Sequence, residues 1–244
     1  MLEGKTAFVT GGSGAVGSAI VRVLAREGAR VAFSFHSHGE RASALEAQCR
    51  ADGRLVRAYP LDVLDAKACQ STAKAVEDEV GPVDVLVNNA GVTQVMPFAM
   101  IEEKDWDQMM DVNVKGMFLV TKAFARGMIR RRSGGIINMG SRAGMRVLDV
   151  PVHYAAAKSA VTGFTLSLAR ELGRYNIRVN AVVPGMLTGG VSDNVPPKQR
   201  DKYNEFCCLS RAGEPAEVAE LVAFLASDRA GYVNAQSLFV DGGI

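Results

Sequence analysis

The sequence predicts an α/β domain, a doubly wound parallel sheet of about seven strands with helices on both faces. Three observations carry that prediction. Short β-branched runs alternate with longer amphipathic stretches along the 244 residues. The short runs are nearly continuous in apolar residues, as in Ala7-Phe8-Val9 and Val85-Leu86-Val87, the pattern of strands buried on both faces. A glycine-rich turn joins the first short run to the first helical one.

In chain order the strands fall at Thr6–Thr10, Arg30–Ser34, Leu55–Leu61, Val83–Asn88, Gly135–Met139, Arg178–Val183 and Ser237–Val240. Helical patterns lie near Ala15–Glu27, Ala42–Ala51, Ala66–Val80, Asp105–Arg131, Val152–Arg174 and Glu214–Ala226. No repeat, low-complexity tract or linker interrupts them, so residues 1–244 read as one domain. Residues 186–211 break the alternation. They carry Gly189-Gly190, Pro196-Pro197 and a polar run from Lys198 to Lys202 with little periodicity, which suits a substrate lid or a poorly ordered loop.

Composition narrows the function. Lys and Arg total 28 against 26 Asp and Glu, so the chain offers no field for nucleic acid or an anionic membrane. No window approaches the roughly 18 uninterrupted apolar residues of a membrane span. Met1 runs into a strand with no basic-then-apolar signal stretch. Cys49, Cys69, Cys207 and Cys208 show no C-x-x-C spacing, and with His36, His38 and His153 they form no zinc ligand set. A cytoplasmic protein with reduced thiols and no metal is the expectation.

The turn Thr10-Gly11-Gly12-Ser13-Gly14-Ala15-Val16-Gly17 lets backbone approach a pyrophosphate whose charge meets a helix N-terminus. Gly11, Ser13, Gly14, Val16 and Gly17 are therefore cofactor-binding candidates; a merely structural turn is the alternative. Asp62, after the third strand, can accept from an adenine amino group or cap the helix starting near Asp65. Asn88-Asn89-Ala90-Gly91 ends the fourth strand at the edge where such sheets bind ligands, or is an ordinary Asn/Gly turn. The second strand ends Phe33-Ser34-Phe35-His36-Ser37-His38, with no carboxylate before Glu40. A carboxylate there would repel a 2′-phosphate, so its absence favours NADP over NAD, with Ser34, His36 and Ser37 as donors. No Lys or Arg stands in the glycine turn or at this strand end.

Tyr154 and Lys158 sit four apart in a helical stretch, about 40° apart around its axis. The ammonium would favour the phenolate and lower the tyrosine pKa, suiting it to exchange a proton with a carbonyl oxygen near neutral pH. A pair of surface neighbours is the alternative.

These motifs, with Asn113, Ser141, Pro184-Gly185 and the ending Val240-Asp241-Gly242-Gly243, resemble the short-chain dehydrogenase/reductases, Rossmann-type enzymes, across essentially the whole chain. Ser141 lies 13 residues before Tyr154, the family's usual interval. The resemblance implies a ketone reductase in which Tyr154 protonates the developing alkoxide, Lys158 holds the nicotinamide ribose, Ser141 donates to the carbonyl oxygen and Asn113 supports a water relay. It adds Val63, Ala90, Pro184, Gly185 and Thr188 to the cofactor contacts, beside Asn89, Gly91, Tyr154 and Lys158. Three positions depart from the family pattern: Ala15 replaces a glycine, Gly140 a serine, and the threonine after Pro-Gly comes one residue early, as Thr188.

Length, the Leu209–Pro215 segment and the C-terminal motif are most similar to the 3-oxoacyl acyl-carrier-protein reductases of fatty-acid and polyketide synthesis. That branch implies a pocket wall of Thr93, Gln94, Val95, Met96, Arg142, Met145, His153 and Met186. Cys207 and Cys208 face substrate or simply pack. An acidic carrier protein would dock on a basic patch near the pocket mouth, from Arg130, Arg131, Arg132 and Arg174; complementing a helix dipole is the other use of those cations. The family also implies a homotetramer built on the two longest helices and the C-terminal segment. An oxidising dehydrogenase of a sugar, steroid or other secondary alcohol is the alternative function.

Overall fold

Each apolar run of the sequence becomes a strand of one sheet. In the computed structural model, which describes residues 1–146, 148–190 and 195–244, the strands are β1 Thr6–Val9, β2 Arg30–Phe35, β3 Val56–Pro60, β4 Val85–Asn88, β5 Gly134–Met139, β6 Ile177–Pro184 and β7 Ser237–Val240. Their order is β3-β2-β1-β4-β5-β6-β7, and every pairing is parallel. Helices are α1 Ala15–Arg26, α2 Gly39–Ala51, α3 Ala66–Glu79, α4 Glu103–Met110, α5 Met117–Arg131, α6 Val152–Leu172, α7 Pro197–Phe206 and α8 Pro215–Ala226.

Successive strand residues serve opposite faces. Ala7 and Val9 of β1 pack with α1 and α8, while Phe8 between them packs with α3, α5 and α6 and stacks on Phe124 at 4.3 Å. The chain order reverses between β1 and β4, leaving a crevice at the C-terminal ends of the strands, the place where open sheets of this kind bind ligands.

Three stretches differ from expectation. The helix predicted over Asp105–Arg131 is α4 and α5 joined through a π-helical turn at Asp111–Gly116. The Asn113 side chain there donates to the Met109 carbonyl, four residues back, and to the Val92 carbonyl outside the helix (both 3.0 Å). α2 starts at Gly39, three residues earlier than predicted. The aperiodic stretch 186–211 contains α7, with Pro197 in its first turn, where a missing N–H costs nothing. Residues 191–194 of that predicted lid, and Val147, lie outside the described residues. Among the described residues no helix is long and apolar enough to cross a membrane, and no His, Cys, Asp or Glu cluster can hold a metal ion.

Candidate active site

Because all seven strands run the same way, the glycine turn, Asp62, Asn89, Ser141 and Gly185 emerge on one edge of the sheet. The glycine turn is shaped for close approach. Gly11 has φ +64°, and a Cβ on Gly17 would stand 2.2 Å from the Gly11 carbonyl oxygen. α1 begins after Gly14 with no side-chain cap and no acidic residue in its first turn, so its leading amides remain open to an anion. These features fit a dinucleotide pyrophosphate. Ala15, the first residue of α1, is exposed.

Around this cradle several predicted contacts serve the protein itself. Asn89 Nδ2 donates to the carbonyls of Thr10 (2.9 Å) and Gly11 (3.1 Å), bracing the turn against the end of β4. Thr10, which the sequence reading passed over, accepts the amides of Asn89 and Ala90 at its hydroxyl, both at 2.9 Å. Ser34 is buried with its hydroxyl accepting the Gly11 amide at 3.3 Å, so it is burial that keeps it from a phosphate at the exposed strand end. His36 and Ser37 are exposed just beyond it. Asp62 accepts the Leu64 amide, and Asp65 caps α3 through Lys67 and Ala68, so the cap reading moves to Asp65. Val63 packs under Gly116 of the π-helical turn, where a Cβ would be 2.6 Å from it. The Thr188 hydroxyl donates to Glu214 at 2.6 Å, which takes it away from the expected nicotinamide contact.

Four polar residues gather beyond β4 and β5. Ser141 follows β5, and its Oγ accepts the Ala143 amide at 3.2 Å, which leaves the hydroxyl proton free to donate elsewhere. Tyr154 and Lys158 lie on the first turns of α6, facing the same way. Lys158 is buried. Its Nζ donates to the Met139 carbonyl at 3.0 Å and stands 5.8 Å from the Tyr154 ring centroid. Burial pushes the lysine down to about 8. The expected depression of the tyrosine pKa by this ammonium is not seen. The cation lies over the ring and on a carbonyl, and burial raises Tyr154, opposed by the Ser141 hydroxyl. Asn113 is buried with Oδ1 unpartnered. A Cβ on Gly91 would stand 2.7 Å from that oxygen and 3.6 Å from Lys158 Nζ, so only glycine lets the end of β4 approach both groups this closely.

The predicted pocket wall divides. Met145 and Met186 are half-buried beside the site, and Met96 borders the loop after β4. Arg142 is buried and bonded to the Asp241 carboxylate and the Ile244 carbonyl, so it anchors the C-terminal strap rather than meeting substrate. His153 is fully buried and backs the wall, with Nε2 3.4 Å from Gln94 Oε1. Tyr203 of α7 receives the Met186 amide (3.0 Å) and donates to the Asp241 carbonyl (3.1 Å), a contact no local pattern announces. Cys207 is buried under the strap beside the Asp241 and Gly242 carbonyls, and exposed Cys208 donates to the Gly243 carbonyl at 2.9 Å.

The arginine cluster is not at the pocket mouth. α5 ends at the start of β5, and the six residues of β5 separate it from Ser141, about 20 Å. Arg131 is committed to Glu77 and the Val83 carbonyl, and Arg132 to the Arg174 carbonyl and the Tyr175 ring.

Comparison with known proteins identifies the family. The family model described as enoyl-(acyl carrier protein) reductase matches residues 12–244. Nodulation protein G of Rhizobium meliloti is 39% identical over 243 residues, covering 100% of this chain and 98% of its own length. The 3-oxoacyl-(acyl-carrier-protein) reductase FabG of Vibrio cholerae is 38% identical over 245 residues, with coverage of 100% and 98%. Among solved structures, a short-chain dehydrogenase/reductase from Serratia marcescens superposes with TM-score 0.92 at 37% identity, covering 99% of this chain and 98% of that one. A gluconate 5-dehydrogenase from Burkholderia cenocepacia, in complex with NADP and tartrate, gives TM-score 0.93 at 32% identity and coverage of 99% and 95%.

Proposed function

Since the chain belongs to the short-chain dehydrogenase/reductase family and is an NAD(P)-dependent oxidoreductase of CH–OH and C=O groups, we propose that it uses NADPH to reduce a 3-oxoacyl thioester, carried on acyl carrier protein, to the 3-hydroxyacyl form. The observation that carries the reading is the meeting of Ser141, Tyr154, Lys158 and Asn113 beside an open glycine turn.

The nicotinamide cofactor, when bound, supplies the hydride. Ser141, with its proton free, donates to the ketone oxygen and stabilises the charge that grows there. Tyr154, held protonated by burial, gives its proton to the alkoxide. Lys158 spends one of three donors on Met139 and keeps two for a ribose hydroxyl and a water. Such a water would donate to the unpartnered Asn113 Oδ1 and return a proton toward Tyr154. The pyrophosphate rests on Gly11, Ser13, Gly14, Val16 and Gly17. Asp62, Val63, Ala90, Gly91, Pro184 and Gly185 border the rest of the cofactor. NADP rather than NAD is supported by the exposed His36 and Ser37 at a strand end without a carboxylate. The segment containing α7 acts as the substrate lid.

The reading includes a cytoplasmic homotetramer. Exposed Phe118 and Leu166 on the outer faces of α5 and α6 suit association of copies. Carrier docking through Arg131 and Arg132 is not part of the reading, because both lie on the edge opposite the site and are bonded within the chain. The gluconate dehydrogenase likeness favours a second reading, NADP-dependent oxidation of a sugar or polyol. Rates of NADPH and NADH oxidation with an acetoacetyl thioester, on a carrier protein and on a short thiol mimic, decide between them. Turnover fastest with NADPH on the carrier is expected; no turnover on either thioester, with gluconate oxidised, would overturn the first reading.

A further inference from the structure

One buried polar chain beside the site has no part in the proton path above. His153, adjacent to Tyr154 on α6, is 0% exposed. Its Nε2 is 3.4 Å from Gln94 Oε1, Gln94 Nε2 donates to Asp105 Oδ1 at 3.1 Å, and Asp105 Oδ2 receives the Glu102 amide at 3.1 Å. The chemistry orients every member. Asp105 carries a carboxylate, held below its usual pKa by the Gln94 amide and the Glu102 N–H, and an ionised carboxylate only accepts. The amide nitrogen of Gln94 must therefore face Asp105, its oxygen faces His153, and His153 Nε2 bears the hydrogen. The other ring nitrogen, Nδ1, is buried without a protein partner.

Gln94 lies in an irregular segment leading from β4 toward α4, along the wall of the site. Apolar packing does little to hold that segment, since Val95 is 58% and Phe98 73% exposed. Polar ties hold it instead, from Asn113 to the Val92 carbonyl and from His153 and Asp105 to Gln94.

We propose that His153 is a positioning residue that, by donating to Gln94, holds residues 92–97 at a set distance from Tyr154 and so determines how the substituents of the ketone lie against the wall. This rests on the ketone-reductase reading, and its test has one arm that does not. Amide hydrogen exchange of residues 92–96 is compared in wild type, His153→Leu, Gln94→Leu and His153→Gln. In parallel, kcat, KM and product enantiomer ratio are measured on a short and a longer 3-oxoacyl thioester. The leucine variants should exchange about tenfold faster at this segment, the effect of losing one hydrogen bond. They should raise KM about tenfold with a smaller change in kcat, and erode the enantiomer ratio. His153→Gln, which keeps a donor, should recover most of each effect, and the double leucine variant should be no worse than either single one. Gln94→Leu, altered in a half-buried loop, carries the test if the buried leucine at 153 prevents folding.

Unchanged exchange overturns the proposal. So does faster exchange with KM and enantiomer ratio at wild-type values. If wild type reduces neither thioester, the 3-oxoacyl reading falls while the exchange result still decides this one.

Discussion

The Lys158 ammonium stands over the face of the Tyr154 ring, 5.8 Å from its centroid, and donates to the Met139 carbonyl rather than to the phenol oxygen. The tyrosine is thus a burial-raised acid rather than a stabilised phenolate, which suits giving a proton in the reductive direction.

Removing that acid should separate chemistry from binding. Tyr154→Phe is expected to lower kcat by about 10²–10⁴-fold while NADPH affinity, followed by fluorescence titration, stays within about twofold. Full turnover in this variant would remove Tyr154 from the role of proton donor.

Lys158 makes activity and stability respond oppositely to alkali. Burial lowers it from 10.5 to about 8, so its charge is present below that pH and lost above it. Reduction should slow as pH rises through about 8. From there to 10.5 the unfolded chain holds one proton more than the native one, so this residue adds stability as pH rises. Lys158→Met should be inactive yet melt higher than wild type at pH 7. The gap, roughly 3 kcal/mol at most, should close toward pH 10; a gap that widens with pH would contradict the buried cation.

Buried Arg142 and half-buried Asp241 form a pair joining the residue after Ser141 to the C-terminal strap. Asp241→Asn removes the carboxylate beside the guanidinium and leaves it the Ile244 oxygen. Urea denaturation should show a loss of about 1.5–3 kcal/mol, with lower kcat because the Ser141 turn loses part of its anchor. A variant as stable as wild type would show that the pair contributes nothing.

A carboxylate at the end of β2 tests the cofactor reading. His36→Asp should weaken NADPH binding at least about tenfold and leave NADH binding unchanged or tighter. Equal loss for both cofactors would mean that no 2′-phosphate is recognised there.

The sheet was legible because its central strands are buried on both faces and carry an unmistakable apolar run; Val85–Asn88 and Ile177–Pro184 fall within two residues of expectation. α7 was not. Its inward contacts run through Tyr203 and Cys207 to backbone carbonyls, so no apolar stripe marks it. The misplaced arginine cluster has a topological cause. A helix that returns antiparallel to the strands ends on the edge opposite the site, however close Arg132 and Ser141 lie in sequence. Arg142 reads as a pocket residue from its neighbour Ser141, because its true partner is 99 positions away. Ser34 likewise reads as a phosphate donor because nothing local announces its burial beside the Gly11 amide.

The wide turn between α4 and α5 has a bearing on what this chain can lose. A helix advances about 100° per residue, so deleting one residue within Asp111–Gly116 to restore regular winding would swing one flank around the axis by that angle. Met109, buried at one end, and Phe124, stacked on Phe8 at the other, could not both return to their places. The irregularity sets the phase between two otherwise ordinary helices. A shorter chain here would be tidier in its hydrogen bonding and wrong in its packing.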